Sequence, residues 1–339
     1  MLMVIFGAGA SYDAIPSHPA GVIPDREERL PLAKDLFADR FMQWTDDFPE
    51  CKFIIPRLQR VPNVESELER LQTEAEAYPP GLRQLAALRF YLQCMIYNTE
   101  KSWTKTGREI TNYKTLLDDI KRARGASETT ILVTFNYDLM IEHALRSIDV
   151  QINDISDYVK DSTFKLIKLH GSVDWCRQVL EPAINTRGVD QLGAAQRVVE
   201  NAVHLKLGPY HRIVGSPPHG FIDYQVGGTP GVSAAYPALA IPVETKKDFE
   251  CPGEHLAALL NFIPKVTKIL VIGWRGAEVP FRHLLLKHLR TRPRIMVVDP
   301  EASVIVTKLA HIEADFYPIE SGFTDFIVSR IEGDRFLRD

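Results

Sequence analysis

The sequence lacks paired cysteines. Its four, Cys51, Cys94, Cys176 and Cys251, lie far apart, and no two show the spacing of about two to four residues that a zinc knuckle or redox motif needs. They are expected to be reduced, semi-buried small apolar residues. Long apolar runs are also missing. None approaches the roughly 20 residues that span a bilayer, and the opening Met1-Leu2-Met3-Val4-Ile5-Phe6 stops at Gly7 with neither a basic lead nor a cleavage site. A basic excess is absent too: 40 Lys and Arg face 44 Asp and Glu, a net charge of −4, so no overall field gathers nucleic acid or anionic lipid. These absences point to a soluble, cytoplasmic chain with no membrane and no direct nucleic-acid partner.

What is present is a run of short apolar segments. Val4–Phe6 leads into Gly7-Ala8-Gly9-Ala10-Ser11; Thr130–Thr134, Lys165–Leu169, Lys268–Ile272 and Arg294–Val298 follow the same plan, with Leu239–Pro242 a weaker case. Continuous rather than alternating apolar residues indicate strands buried on both faces, as in a parallel sheet covered by helices. Helical periodicity lies between them, for example at Phe281–Leu289. The expected class is α/β, a Rossmann-like doubly wound parallel sheet. Two stretches interrupt it. Glu65–Ala77 and Leu82–Tyr97 are helical in pattern, and 177–236 is rich in breakers such as Gly208-Pro209, Ser216-Pro217-Pro218, Gly227-Gly228 and Pro230-Gly231. The expected division is a Rossmann-like domain of 1–31, 127–176 and 237–339, a helical insertion of 32–126, and an irregular insertion of 177–236.

Candidate functional residues sit at strand ends, where ligands of doubly wound sheets bind. Gly7 and Gly9 permit a tight turn and close backbone approach to a diphosphate, or serve only as a structural turn. The dinucleotide fingerprint's third glycine is replaced by Tyr12, which disfavours a hydride-transferring dehydrogenase. Thr134-Phe135-Asn136-Tyr137-Asp138 places an amide and a carboxylate at the end of the second strand, although Asp138 could simply cap the next helix. His170-Gly171-Ser172 ends the third strand with an imidazole suited to proton transfer near neutral pH, or with a structural histidine. His283 and His288 lie on different helix faces, and His204, His211 and His219 are expected in solvated loops. Trp44, Trp103, Trp175 and Trp274 are expected to anchor core or interface, the last two close enough to the motifs to line a pocket.

In this order, strand–Gly-Ala-Gly-Ala-Ser, strand–Thr-x-Asn-x-Asp and strand–His-Gly, the chain resembles the sirtuin superfamily. In particular it resembles the bacterial sirtuin-like proteins of anti-phage defence, which tend to carry a Pro-Leu-Ala segment matched here by Pro31-Leu32-Ala33. Ile272-Gly273-Trp274-Arg275-Gly276 resembles the family's late glycine-bearing loop, and Asp299 stands where the family places a polar residue near the adenosine ribose. The paired-cysteine zinc module of deacylating sirtuins is absent, and Gly21–Arg26 matches their Gly-Ile-Pro-Asp-Phe-Arg segment too poorly to receive a role.

The resemblance implies NAD as substrate, no zinc, and cleavage of the nicotinamide–ribose bond by water, the work of an NAD+ nucleosidase. Asn136 would orient the ribose or a water, His170 would act as base, and Asp138 would meet the nicotinamide carboxamide. Gly7, Ala8, Gly9, Ser11, Gly273, Trp274 and Asp299 would complete the NAD site. It further implies a homo-oligomer or a companion defence protein, a HerA-like ATPase or an Argonaute. The alternatives are a non-catalytic NAD or ADP-ribose sensor, and an NAD-dependent deacylase.

Overall fold

In a computed structural model of the chain, residues 1–21, 28–124, 128–226, 229–243 and 249–338 are described. Apart from Gly21, the Gly21–Arg26 segment lies outside them, as does Gly227-Gly228. The chain divides into two compact units, one of Met1–Leu30, Thr99–His170 and Lys246–Asp339, the other of Pro31–Asn98 and Gly171–Thr245.

The first unit is built on a parallel sheet. Its strands are β1 (Leu2–Phe6), β2 (Thr130–Thr134) and β3 (Phe164–Lys168), then β8 (Lys268–Ile272), β9 (Arg294–Val298) and β10 (Asp315–Ile319). The spatial order is β10-β9-β8-β1-β2-β3, all pairs parallel, with Val4 opposite Leu132 on one side and Leu270 on the other. Counting only these six strands along the chain, this is the 3-2-1-4-5-6 order of dinucleotide-binding sheets, whose crevice opens where the order reverses, here between β1 and β8. Every residue of β1, β2 and β8 is buried, which is why these strands read as unbroken apolar runs. The sixth strand, β10, escapes that reading because it is an edge: its side chains are half-buried or exposed and it carries Pro318, tolerable only where no neighbour needs the missing N–H. Leu239 belongs to a different sheet.

The helix Asn112–Arg124 also lies in this unit. Tyr113, Leu116, Leu117 and Ile120 form its buried face, and Lys121, Arg122 and Arg124 suit the negative end of its dipole.

In the second unit, Asn63 starts the helix Val64–Ala77 by accepting the Ser66 N–H at 3.1 Å, with Glu65 and Glu67 in the first turn. The helix Pro79–Thr106 begins here. The stretch expected to be irregular instead forms an antiparallel sheet of β4 (Gly171–Glu181), β5 (Lys206–Arg212), β6 (Phe221–Val226) and β7 (Thr229–Leu239), ordered β5-β4-β7-β6. Gly208-Pro209 lies within an edge strand and Pro217-Pro218 between strands, where such residues are tolerated, while Pro230-Gly231 falls at the start of β7. Among the described residues no helix is long and apolar enough to cross a membrane.

Cys51, Cys94 and Cys176 are free and buried, and burial pushes their thiols up. Cys251 is free and half-buried, its thiol raised to about 12.

Candidate active site

The loop after β1 owes its glycines to a neighbouring loop. A Cβ on Gly7 would lie 2.5 Å from the Gly273 carbonyl oxygen, and one on Gly9 2.9 Å from the Gly273 Cα. Gly273 has φ of +60°, and its own Cβ would stand 2.2 Å from the Ala10 nitrogen. The two loops are joined by Gly9 N–H donating to the Gly273 carbonyl at 3.1 Å, while Gly7 N–H reaches Ile272 and Gly273 N–H reaches Val298. The amides of Gly7 and Gly9 are therefore engaged within the protein, and Ala8 stands exposed at the top of the turn.

Beneath this turn, polar side chains converge. Ser11 donates from Oγ to Asp138 Oδ2 at 2.7 Å. Asn136 donates from Nδ2 to the Gly7 carbonyl and to Ser11 Oγ, each at 2.9 Å, with Tyr113 Oη at 3.4 Å. Tyr113 Oη lies 2.9 Å from Ser11 Oγ. With Asp138 as a carboxylate, the Ser11 proton is committed to it, so the tyrosine is the donor of that pair. Asn136 is left to offer its Oδ1 as an acceptor. Strand β2 ends at Thr134, whose Oγ1 accepts the Asn136 N–H at 3.0 Å and turns the chain. Asp138 also accepts the Met140 N–H on Oδ1 at 3.2 Å, so it holds the first amide of the following helix and accepts from Ser11 at once.

Behind this cluster lie residues that the motifs do not reveal. Glu100 Oε2 accepts the Leu139 N–H at 2.8 Å. Lys168, wholly buried on β3, donates to Glu142 Oε1 at 2.9 Å and to the Asp138 carbonyl, and Tyr158 adds a bond to Glu142 at 2.9 Å. Burial, then the charge of Asp138, holds the Glu100 carboxyl well above its ordinary range. Burial also raises Asp138, against the pull of Lys168. A lysine at the end of a buried strand was the available signal for this network; Tyr113, at the start of a helix without a motif, left none.

His170 is 5% exposed. Its ring centroid lies 5.0 Å from that of Phe135 and 6.3 Å from that of Tyr137, the two residues flanking Asn136. Trp274 is core: it stacks on Phe135 at 5.4 Å, meets Phe281 edge-on, and donates its indole N–H to Glu278. Asp299, half-buried and raised by burial, accepts the Glu301 N–H at 2.9 Å and follows Val298, which binds the Gly273 loop. The turn after the short first helix is fixed from two sides. Asp13 takes the N–H groups of Ala20 and Thr324. Buried Arg29 donates to the carbonyls of Tyr12 and His18 and lies over the rings of Tyr12 and Trp103.

His219, expected in a solvated loop, is 2% exposed. It lies in the second unit, its N–H donating to Gln93 Oε1 at 3.2 Å. Trp103 and Trp175 are fully buried. Among the described residues, no three His, Cys, Asp or Glu side chains are grouped to hold a metal ion.

No family model and no curated protein matches the chain. Solved structures do. A Sir2 homologue mutant in complex with 2'-O-acetyl ADP-ribose aligns at a TM-score of 0.47 and 13% identity, over 100% of this chain and 93% of that one. A Sir2 homologue–NAD complex aligns at 0.46 and 12%, over 100% and 90%. A Sir2–p53 peptide–NAD+ complex aligns at 0.42 and 14%, over 98% and 92%.

Proposed function

We propose that the chain binds NAD+ over the Gly7–Ser11 turn and hydrolyses its nicotinamide–ribose bond. The reading rests on one observation: Ser11, Asn136 and Asp138, from the carboxyl ends of two adjacent parallel strands, are hydrogen-bonded into one cluster beside the point where the strand order reverses.

Nicotinamide leaves a pyridinium as a neutral base, taking the bonding pair with it, so no strong general acid is required. The site must instead stabilise the oxocarbenium-like ribose left behind and present water to it. Asn136 suits the second task. Its amide hydrogens are spent on Gly7 and Ser11, which fixes Oδ1 as an acceptor toward water or a ribose hydroxyl. Asp138 supplies a carboxylate for the carboxamide of the leaving group. His170, against the residues on either side of Asn136, takes the proton of the attacking water as its oxygen bonds to the anomeric carbon. The products are nicotinamide, ADP-ribose and a proton. The resemblance extends the proposal to depletion of NAD during phage infection, in an assembly with further copies or a companion defence protein.

Incubation of the purified chain with NAD+ is expected to release nicotinamide. Asn136→Ala should abolish it, and His170→Ala should lower the rate by about 10²–10⁴-fold, the usual worth of a positioned base. Full turnover in both variants removes the site assignment.

A further inference from the structure

Glu100 lies outside every motif that marks the site, yet it shares the start of one helix with Asp138. Glu100 Oε2 accepts the Leu139 N–H at 2.8 Å and Asp138 Oδ1 approaches the Met140 N–H at 3.2 Å. Consecutive amides thus hold two carboxyls side by side in a water-poor setting, where like charges cannot both ionise cheaply. The charged and titratable groups facing Glu100 are Asp138, Glu142, His143, Lys168 and Tyr113. Lys168 is bound to the Glu142 carboxylate and to the Asp138 main-chain carbonyl, and its charge is also felt by Glu100 and Asp138. His143 Nε2 lies 3.5 Å from Glu100 Oε1 on a side chain 47% exposed, giving a proton on Glu100 a way to solvent.

We infer that Glu100 is a specificity-determining residue of this site: the Glu100–Asp138 pair holds a proton while the site is free and releases it when a cationic ring settles beside Asp138. The inference rests on the proposed NAD+ site and names its consequence, selection of the oxidised, cationic dinucleotide over the neutral reduced one. Burial supports it, since the Glu100 carboxyl is held well above its ordinary value of 4.5 chiefly by desolvation. A second positive charge near the pair reverses that balance, because a cation a few ångströms away favours both ionised forms.

The test is calorimetry of the full chain with carba-NAD, which keeps the cationic nicotinamide and resists cleavage, and with ADP-ribose, which lacks the ring, each in two buffers of different ionisation heat. The wild type is expected to release up to about one proton per carba-NAD bound, and none with ADP-ribose. Glu100→Gln, which retains an acceptor for the Leu139 N–H, should lose the carba-NAD release, keep its ADP-ribose affinity, and narrow the preference for NAD+ over NADH by about tenfold. Equal release from both proteins, or release with ADP-ribose as well, overturns the inference and leaves the site standing. Failure of both ligands to bind overturns the site and the inference together. The wild type alone gives a check independent of the variant's folding: carba-NAD affinity should rise with pH where ADP-ribose affinity stays flat, and two parallel profiles overturn the assignment.

Discussion

Two buried ionic clusters among the described residues, one in each unit, are built on opposite charge logic. In the second unit Asp174, on β4, accepts Ser172 Oγ at 2.7 Å on one carboxylate oxygen and Arg212 Nε at 2.5 Å on the other, with side chains 4% and 8% exposed for Asp174 and Arg212. One anion meets one cation. In the first unit Glu100, Asp138 and Glu142 share Lys168, and hydroxyls and backbone amides supply the remaining bonds. The balanced cluster holds a sheet together. In the unbalanced one burial raises Glu100 and Asp138, an arrangement that scaffolding does not require and that sites kept for chemistry display.

The largest test of this contrast removes one partner from the balanced pair. Asp174→Ala removes the carboxylate of a buried ion pair, and its expected cost is about 3–5 kcal/mol, measured by denaturant unfolding at pH 7. A loss below about 1 kcal/mol would mean that the pair is solvated after all and would break the comparison.

The next effect separates the clusters by the sign of their pH dependence. His219, close enough to Asp174 to feel its charge, is driven by burial from 6.5 to about 4. Its folded-state value is the lower one, so the unfolded chain takes the proton first as pH falls. The stability it contributes is present above pH 6.5 and is lost on the way to pH 4, by on the order of 3 kcal/mol. Glu100 acts in the other direction. Its folded-state value is raised, so the native state keeps a proton that the unfolded chain has already shed, and stability falls as pH climbs above the ordinary glutamate range. Melting temperatures from pH 4 to pH 9 should show both limbs. His219→Gln should remove only the loss on the way down to pH 4, and Glu100→Gln only the loss that grows as pH rises above the ordinary glutamate range; one substitution removing both would mean that the clusters are not separate.

How much of this could be read from the sequence depends on what each residue does locally. Strands β1, β2, β3, β8 and β9 are legible because a strand buried on both faces has no room for alternation. Ser11, Asn136 and Asp138 are legible because strand ends are where a parallel sheet presents polar groups. Strand β10 is hidden by its edge position and Pro318, and the antiparallel sheet by glycines and prolines that edge strands and turns accept. Tyr113 and Glu100 were out of reach for another reason. Their partners are 102 and 39 residues away in the chain, and nothing in the local pattern marks a tyrosine at a helix start or a glutamate inside a long helix as part of a site. Lys168 could have been noticed, since a lysine in a buried strand needs a buried partner.

The smallest expected change is also the one that divides the clusters most sharply. Asp138→Asn preserves the shape of the side chain and removes one of three carboxyls competing for Lys168. Its Oδ1 can still accept the Met140 N–H, and its new Nδ2 can donate to Ser11, whose hydroxyl then turns to Tyr113, 2.9 Å away. The Tyr113 hydroxyl proton then loses its acceptor on Ser11, which offsets the relief of the Asp138 charge felt by Glu100, so the variant should change stability by less than about 1 kcal/mol while losing nicotinamide release. Asp174→Asn places an amide where Arg212 meets a carboxylate and should lose stability under the same conditions. If Asp138→Asn lowers the unfolding midpoint as much as Asp174→Asn does, charge imbalance does not set the first cluster apart from the second.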